Sequence, residues 1–136
     1  MIRARLLTSG SAEGPVLSLD EPLSFWGAFE PRSGVILDVH HPQRGACVKD
    51  TVLVMTETRG SGSAPGAIAE ANRLGTAPVA IILAEADINL AVGAEVAAAL
   101  YGRRCVIACV SVDELERLRG ARRLAIDTDG VVTLAR

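Results

Sequence analysis

Three apolar runs constrain the fold most: "TVLVM" from Thr51, "PVAIILA" from Pro78 and "CVIACV" from Cys105. None reaches the roughly 18 residues of a membrane span, and none alternates like a strand with one wet face. Each is therefore expected to be a strand covered on both sides. Helical patterns lie between them. From Ser63 the apolar positions Ala64, Ala67, Ile68, Ala71 and Leu74 recur with a period near 3.6. Ser63 is placed as the N-cap, Pro65 falls in the first turn where a missing N–H costs little, and Gly75 supplies the stop. The stretch "INLAVGAEVAAALYG" is apolar almost all round except at Glu95. It predicts a helix buried against a sheet or a partner.

The flanks complete an α/β domain. "IRARLLT" (2–8) alternates apolar and basic residues as a half-solvated strand should, and "VLSL" (16–19) is a second short strand. Between Asp20 and Thr56 Gly and Pro recur every few residues, and only "GVILDV" and "DTVLVMT" look regular. "SVDELERLRG" reads as a helix capped by Ser111, with Glu114 completing a capping box. "RLAIDTDGVVTLA" reads as a hairpin around Asp129-Gly130 in a tight primed turn. Residues 1–136 form one domain, with no internal repeat or long linker.

A formal charge of −2 argues against a nucleic-acid or anionic-membrane surface, which needs concentrated Lys and Arg. Cys47, Cys105 and Cys109 form no CxxC pair and suit a reducing cytoplasm. The two in the apolar run act as small hydrophobes. No charged and then apolar leader opens the sequence.

Three stretches could carry chemistry. "MTETRGSGSAPG" places Arg59, Gly60, Ser61, Gly62 and Ser63 between a buried strand and a helix start, where free backbone N–H groups and the positive helix end attract an anion. It lacks the GK[ST] ending of a phosphate-binding P-loop and the GxGxxG of a dinucleotide loop. The same residues also suit an ordinary capped turn. "ILDVHHPQRG" offers Asp38, His40 and His41, as an acid and base cluster or as loop residues, but no spacing completes a metal set. "LAEADINLAVG" places Glu85 and Asp87 at a covered strand's end, Asp87 as a helix cap and Glu85 without an assigned role.

Taken in order, "PLSFWGAFEPRSGVILDVHHPQRG", "LVMTETRGSGSAPG" and "GTAPVAIILAEADINLAVGAEVAAALYG" resemble the small, swivelling subunit of the aconitase X family, across about three quarters of the chain. The resemblance implies a swivelling β/β/α domain, a mixed and partly closed barrel-like sheet with helices on one side. It implies docking on a large subunit that carries the iron or iron–sulfur centre, with none bound by this chain. The implied reaction is dehydration of a small hydroxy acid, either cis-3-hydroxy-L-proline or mevalonate 5-phosphate. A basic complement with Lys49 as its only lysine, and Arg59 as the only cation in the loop, favour the unphosphorylated substrate.

By the same resemblance Ser61 is the catalytic base, with Ser63 as the alternative. Arg59, Gly60, Gly62 and Ser63 bind substrate or oxyanion, and His40 and His41 line the substrate side or the subunit contact. The family's three-serine run reads Ser61-Gly62-Ser63 here, its following Gly-Ser pair reads Ala64-Pro65, and Ala28 replaces a glycine. A non-catalytic interaction module, or an anion-binding module with the same fold, is the alternative these changes leave.

Overall fold

The computed structural model describes residues 1–25, 27–59 and 64–135, Ala64 by its backbone. The expected N-cap Ser63 and the loop residues Gly60, Ser61 and Gly62 lie outside the described residues, as does Trp26. Among those described, the order is β1 (Ile2–Arg3), β2 (Arg5–Leu6), β3 (Ala12–Ser18), β4 (Phe29–Glu30), β5 (Val35–Ile36), β6 (Val52–Val54), α1 (Ala64–Leu74), β7 (Ala80–Leu83), α2 (Ile88–Tyr101), β8 (Val106–Cys109), α3 (Val112–Arg119), β9 (Arg123–Ile126) and β10 (Val131–Ala135).

Eight strands form one mixed sheet in the order β1-β10-β9-β3-β6-β7-β8-β2, and β4 pairs with β5 apart from it. The three apolar runs are its parallel centre as β6, β7 and β8, with β3 parallel beside β6; Val54 lies opposite Ile82 and Ile82 opposite Ala108. "IRARLLT" does not form one strand. Ile2 pairs with Val132 at one end of the sheet, and Arg5 pairs with Cys109 at the other. Only Ala4 separates the two strands, so the ends of the sheet must lie next to each other. The sheet is a nearly closed barrel sealed by residues 2–6, and the Ala4 N–H donates to the Gly130 carbonyl at 2.7 Å to hold the seam.

Alternation along β6, β7 and β8 divides the interior into two cores. Leu53, Ile81, Leu83 and Ile107 face Ile68, Ala71, Leu90 and Ala94 of α1 and α2. Val52, Val54, Ala80, Ile82 and Val106 face Leu115, Leu118, Leu124, Ile126 and Val132. All these side chains are essentially buried, and each large one contributes about 1.5–3 kcal/mol. The expectation of helices on one side holds for α1 and α2 but not for α3. An eight-residue helix with one apolar edge, Leu115 and Leu118, suits either face. The connection from β8 brings it to the second.

Local signals decide the ends. Ser111 and Glu114 form the expected reciprocal capping box, whose hydrogen bonds from Ser111 hold the Glu114 carboxyl below its ordinary range. Gly75 ends α1 with φ 77°. The last hairpin turns differently from a two-residue primed turn, in which the first central residue, here Asp129, takes a positive φ. Only Gly130 is left-handed, and the Asp127 carboxylate closes a wider loop by accepting the N–H groups of Asp129 and Val131, both at 2.9 Å. Among the described residues no helix is long and apolar enough to cross a membrane.

Candidate active site

The parallel strands β6 and β7 deliver their following loops to one edge of the sheet, where α1 and α2 begin. Ligand groups collect at such an edge because the strands end there and helix N-termini point toward it. Glu57, Thr58, Glu85, Asp87, Ile88 and Asn89 line a hollow of about 320 Å³ between the two loops.

Strand register explains why the two glutamates meet. Val54 lies opposite Ile82, and three residues further each chain carries a glutamate. The Ala84 and Glu85 N–H groups both donate to the Thr56 carbonyl, at 2.9 and 3.0 Å, which carries the alignment past the formal strand ends. A hydrogen bond between the Glu57 and Glu85 carboxyls, and the negative charge of Glu57, raise the Glu85 pKa above the usual carboxyl value. Folded Glu85 holds its proton more tightly than unfolded Glu85 does, so the pair loses stability as pH rises through the raised value. Glu57→Gln keeps the shape and removes the charge. The Glu85 midpoint, followed by carboxyl-carbon NMR, is expected to fall toward the ordinary range.

Asp87 is fully engaged. One carboxylate oxygen caps α2 by accepting the Leu90 N–H at 3.0 Å, and the other accepts the Thr58 hydroxyl. Its expected capping role is confirmed, and the bond to Thr58 ties the loop leading to Ser61 onto the start of α2. On the other side of that loop, the Arg59 N–H donates to the Leu23 carbonyl at 3.1 Å, beside a parallel bridge from Leu23 to Thr58. Leu23 and Phe25 are buried beneath it, and Phe25 meets Phe29 edge to face. The "PLSF" block is thus the floor that supports Thr58 and Arg59.

The "HHP" block supports that floor in turn. His41 is only 5% exposed; its Nδ1 accepts the Gln43 N–H, and its Nε2 lies 3.0 Å from the Glu21 carbonyl. Because Nδ1 accepts, the ring proton sits on Nε2 and is donated to Glu21. A ring so engaged has no nitrogen left for a substrate, so within this chain His41 pins the exit of β3. Gln43 adds reciprocal bonds to Asp20. His40 is exposed, its N–H given to Asp38, and Arg59 is exposed at the site edge.

Glu57 and Thr58 were not among the residues singled out from the sequence; the signal was the equal spacing of Glu57 and Glu85 from paired strand positions. Among the described residues no three His, Cys, Asp or Glu side chains group as metal ligands. Burial of Cys105 pushes its thiol well above the usual range, which keeps it a neutral core side chain.

The sequence and the fold have relatives. A family model described as the aconitase X swivel domain matches residues 1–134. The cis-3-hydroxy-L-proline dehydratase of Pseudomonas aeruginosa is 41% identical over 124 residues, which are 90% of this chain and 21% of that protein. This chain therefore spans about a fifth of that relative's length. The phosphomevalonate dehydratase small subunit of Thermococcus sibiricus is 31% identical over 128 residues, 94% of this chain and 92% of that one. Among solved structures, the crystal structure of Thermococcus kodakaraensis aconitase X (holo-form) superposes with a TM-score of 0.84 at 26% identity, covering 99% of this chain and 98% of that one. With the family model matching residues 1–134 and the fold shared over nearly the whole length, the chain belongs to the aconitase X swivel-domain family.

Proposed function

We propose that this chain is the small subunit of an aconitase X-type hydro-lyase that dehydrates cis-3-hydroxy-L-proline, works in the cytoplasm, and is active only on a large subunit. The observation that carries the substrate is the 41% identity to the Pseudomonas dehydratase, against 29–36% to phosphomevalonate dehydratase small subunits. The near-complete coverage of the latter supports a separate-subunit arrangement.

Dehydration breaks a C–H bond and a C–O bond, so the proton needs an acceptor and the hydroxyl must leave as water. An iron or iron–sulfur centre on the large subunit would supply a Lewis acid for the leaving hydroxyl. The base assigned here is Ser61. A free serine hydroxyl is too weak an acid for this, so its alkoxide needs donors and a positive field. The Gly62 and Ser63 N–H groups are assigned as those donors, with Gly60 allowing close approach and Arg59 pairing with the substrate carboxylate. The positive end of α1, which starts at Ala64, favours an anion there. His40 is assigned to the substrate side or the subunit contact, and His41 to holding the floor beneath.

The test is co-expression with the large subunit and assay on both hydroxy acids. The complex is expected to consume cis-3-hydroxy-L-proline, and Ser61→Ala is expected to lower kcat by about 10²–10⁴-fold, the range for a lost acid–base group. An unchanged rate in Ser61→Ala with a large loss in Ser63→Ala would move the base. Turnover of mevalonate 5-phosphate alone would overturn the substrate. A complex inert on both would leave the chain a non-catalytic module.

A further inference from the structure

The sequence of α2 predicts a helix covered all round, yet this chain covers only half of it. Leu90, Ala91, Gly93, Ala94 and Ala97 are buried toward α1 and the sheet. Ile88, Val92, Val96 and Leu100 remain 63%, 53%, 45% and 66% exposed. Spaced by four residues, they form a ridge about 18 Å long that turns only about 40° per step around the helix. The 14-residue helix has a single charged residue, Glu95, and Arg104 engages it at 3.1 Å with the Ser9 N–H as a second partner. An exposed apolar ridge without free charge is the pattern of a covered surface.

We propose that this α2 ridge is where the large subunit docks, an inference that rests on the two-chain reading above. Two observations select that occupant. Ile88 both begins the ridge and lines the hollow with Glu57 and Glu85, so a chain that completes the half-site lies against the ridge's start. In the Pseudomonas relative this domain is 21% of the protein, so about four-fifths of that chain accompanies it. A second copy of this chain would bring another ridge, but against the acidic hollow only another pair of carboxyls.

The experiment compares the wild-type chain with Val96→Asp/Leu100→Asp and with Val112→Asp, a change at an equally exposed apolar residue on α3. Circular dichroism and thermal melting report folding, and titration against the purified large subunit reports binding. The ridge variant is expected to stay folded and bind about 100-fold more weakly, since two charges face a desolvated surface, while Val112→Asp binds as wild type. Wild-type binding by the folded ridge variant overturns the ridge and leaves the two-chain reading intact. If the wild-type chain forms no complex at all, both fall. If it self-associates through the ridge and the variant becomes monomeric with unchanged large-subunit binding, the face belongs to a homodimer and the proposal is wrong.

Discussion

Replacing Gly93 with alanine is expected to lower both stability and the activity of the reconstituted complex. A methyl at Gly93 would lie 2.6 Å from the Pro65 Cα, 2.7 Å from the Pro65 carbonyl oxygen and 2.8 Å from the Ile68 side chain. Two of those are backbone atoms of α1, which cannot swing aside as a flexible side chain would. The helices must separate, at about 1–3 kcal/mol for such overpacking. In a chain this size that is a fall in Tm of about 3–10 °C. Pro65 is also the second residue of α1, two positions beyond Ser63. For the base proposed at Ser61, four positions before Pro65 in sequence, a misplacement near 1 Å would cost about 10²-fold in rate. Gly66→Ala supplies the contrast. Among the described residues a methyl there meets nothing within 4 Å, so helix propensity alone predicts a gain of up to about 1 kcal/mol. A Gly93→Ala protein as stable as wild type would show that α1 and α2 tolerate a wider spacing.

Gly130→Ala is expected to be the other severe change, at a residue that does not line the hollow. Gly130 has φ +87°, which costs an L side chain about 1–2 kcal/mol. A methyl there would also fall inside contact distance of the Ala4 carbonyl oxygen. The same glycine accepts the Ala4 N–H, so relief of the clash strains the bond that seals the barrel. The combined loss is about 2–4 kcal/mol, read as the midpoint of urea unfolding. Seam strain also predicts faster hydrogen exchange at Ala4 than at Ile81. Uniform destabilisation, with Ala4 as protected as in the wild type, would place the effect in the hairpin alone.

The parallel centre was legible in the sequence because strands covered on both faces leave no room for polar residues, as "AIIL" in β7 and "VIAC" in β8 show. Helix ends were legible where a side chain closes them, as Ser111 does for α3 and Asp87 for α2. Long-range choices were not. The alternation in "IRARLLT" is equally consistent with one strand or with two at opposite ends of a sheet, since Arg3 and Arg5 are exposed either way. The face that α3 covers depends on the path of the chain and not on Leu115 or Leu118. At the site, Glu85 stood out at a strand end, but its meeting with Glu57 needs the register of β6 against β7. Two imidazoles next to a proline suggested chemistry, and only the bonds of His41 to Glu21 and Gln43 show a buried pin.

The seam at Ala4 also bears on how the chain reaches its native state. Residues 2–6 must find Val131 and Val132 on one side and Ala108 and Cys109 on the other. These are among the most distant pairings in the sequence, and such closures come late and slowly, on the millisecond-to-second scale of strand-rich topologies. Until then β10 and β8 present unpaired edges, which recruit strands from other molecules. Refolding yield is therefore set by a race between the first five residues of the barrel seal and a neighbouring chain, and dilution favours the seal.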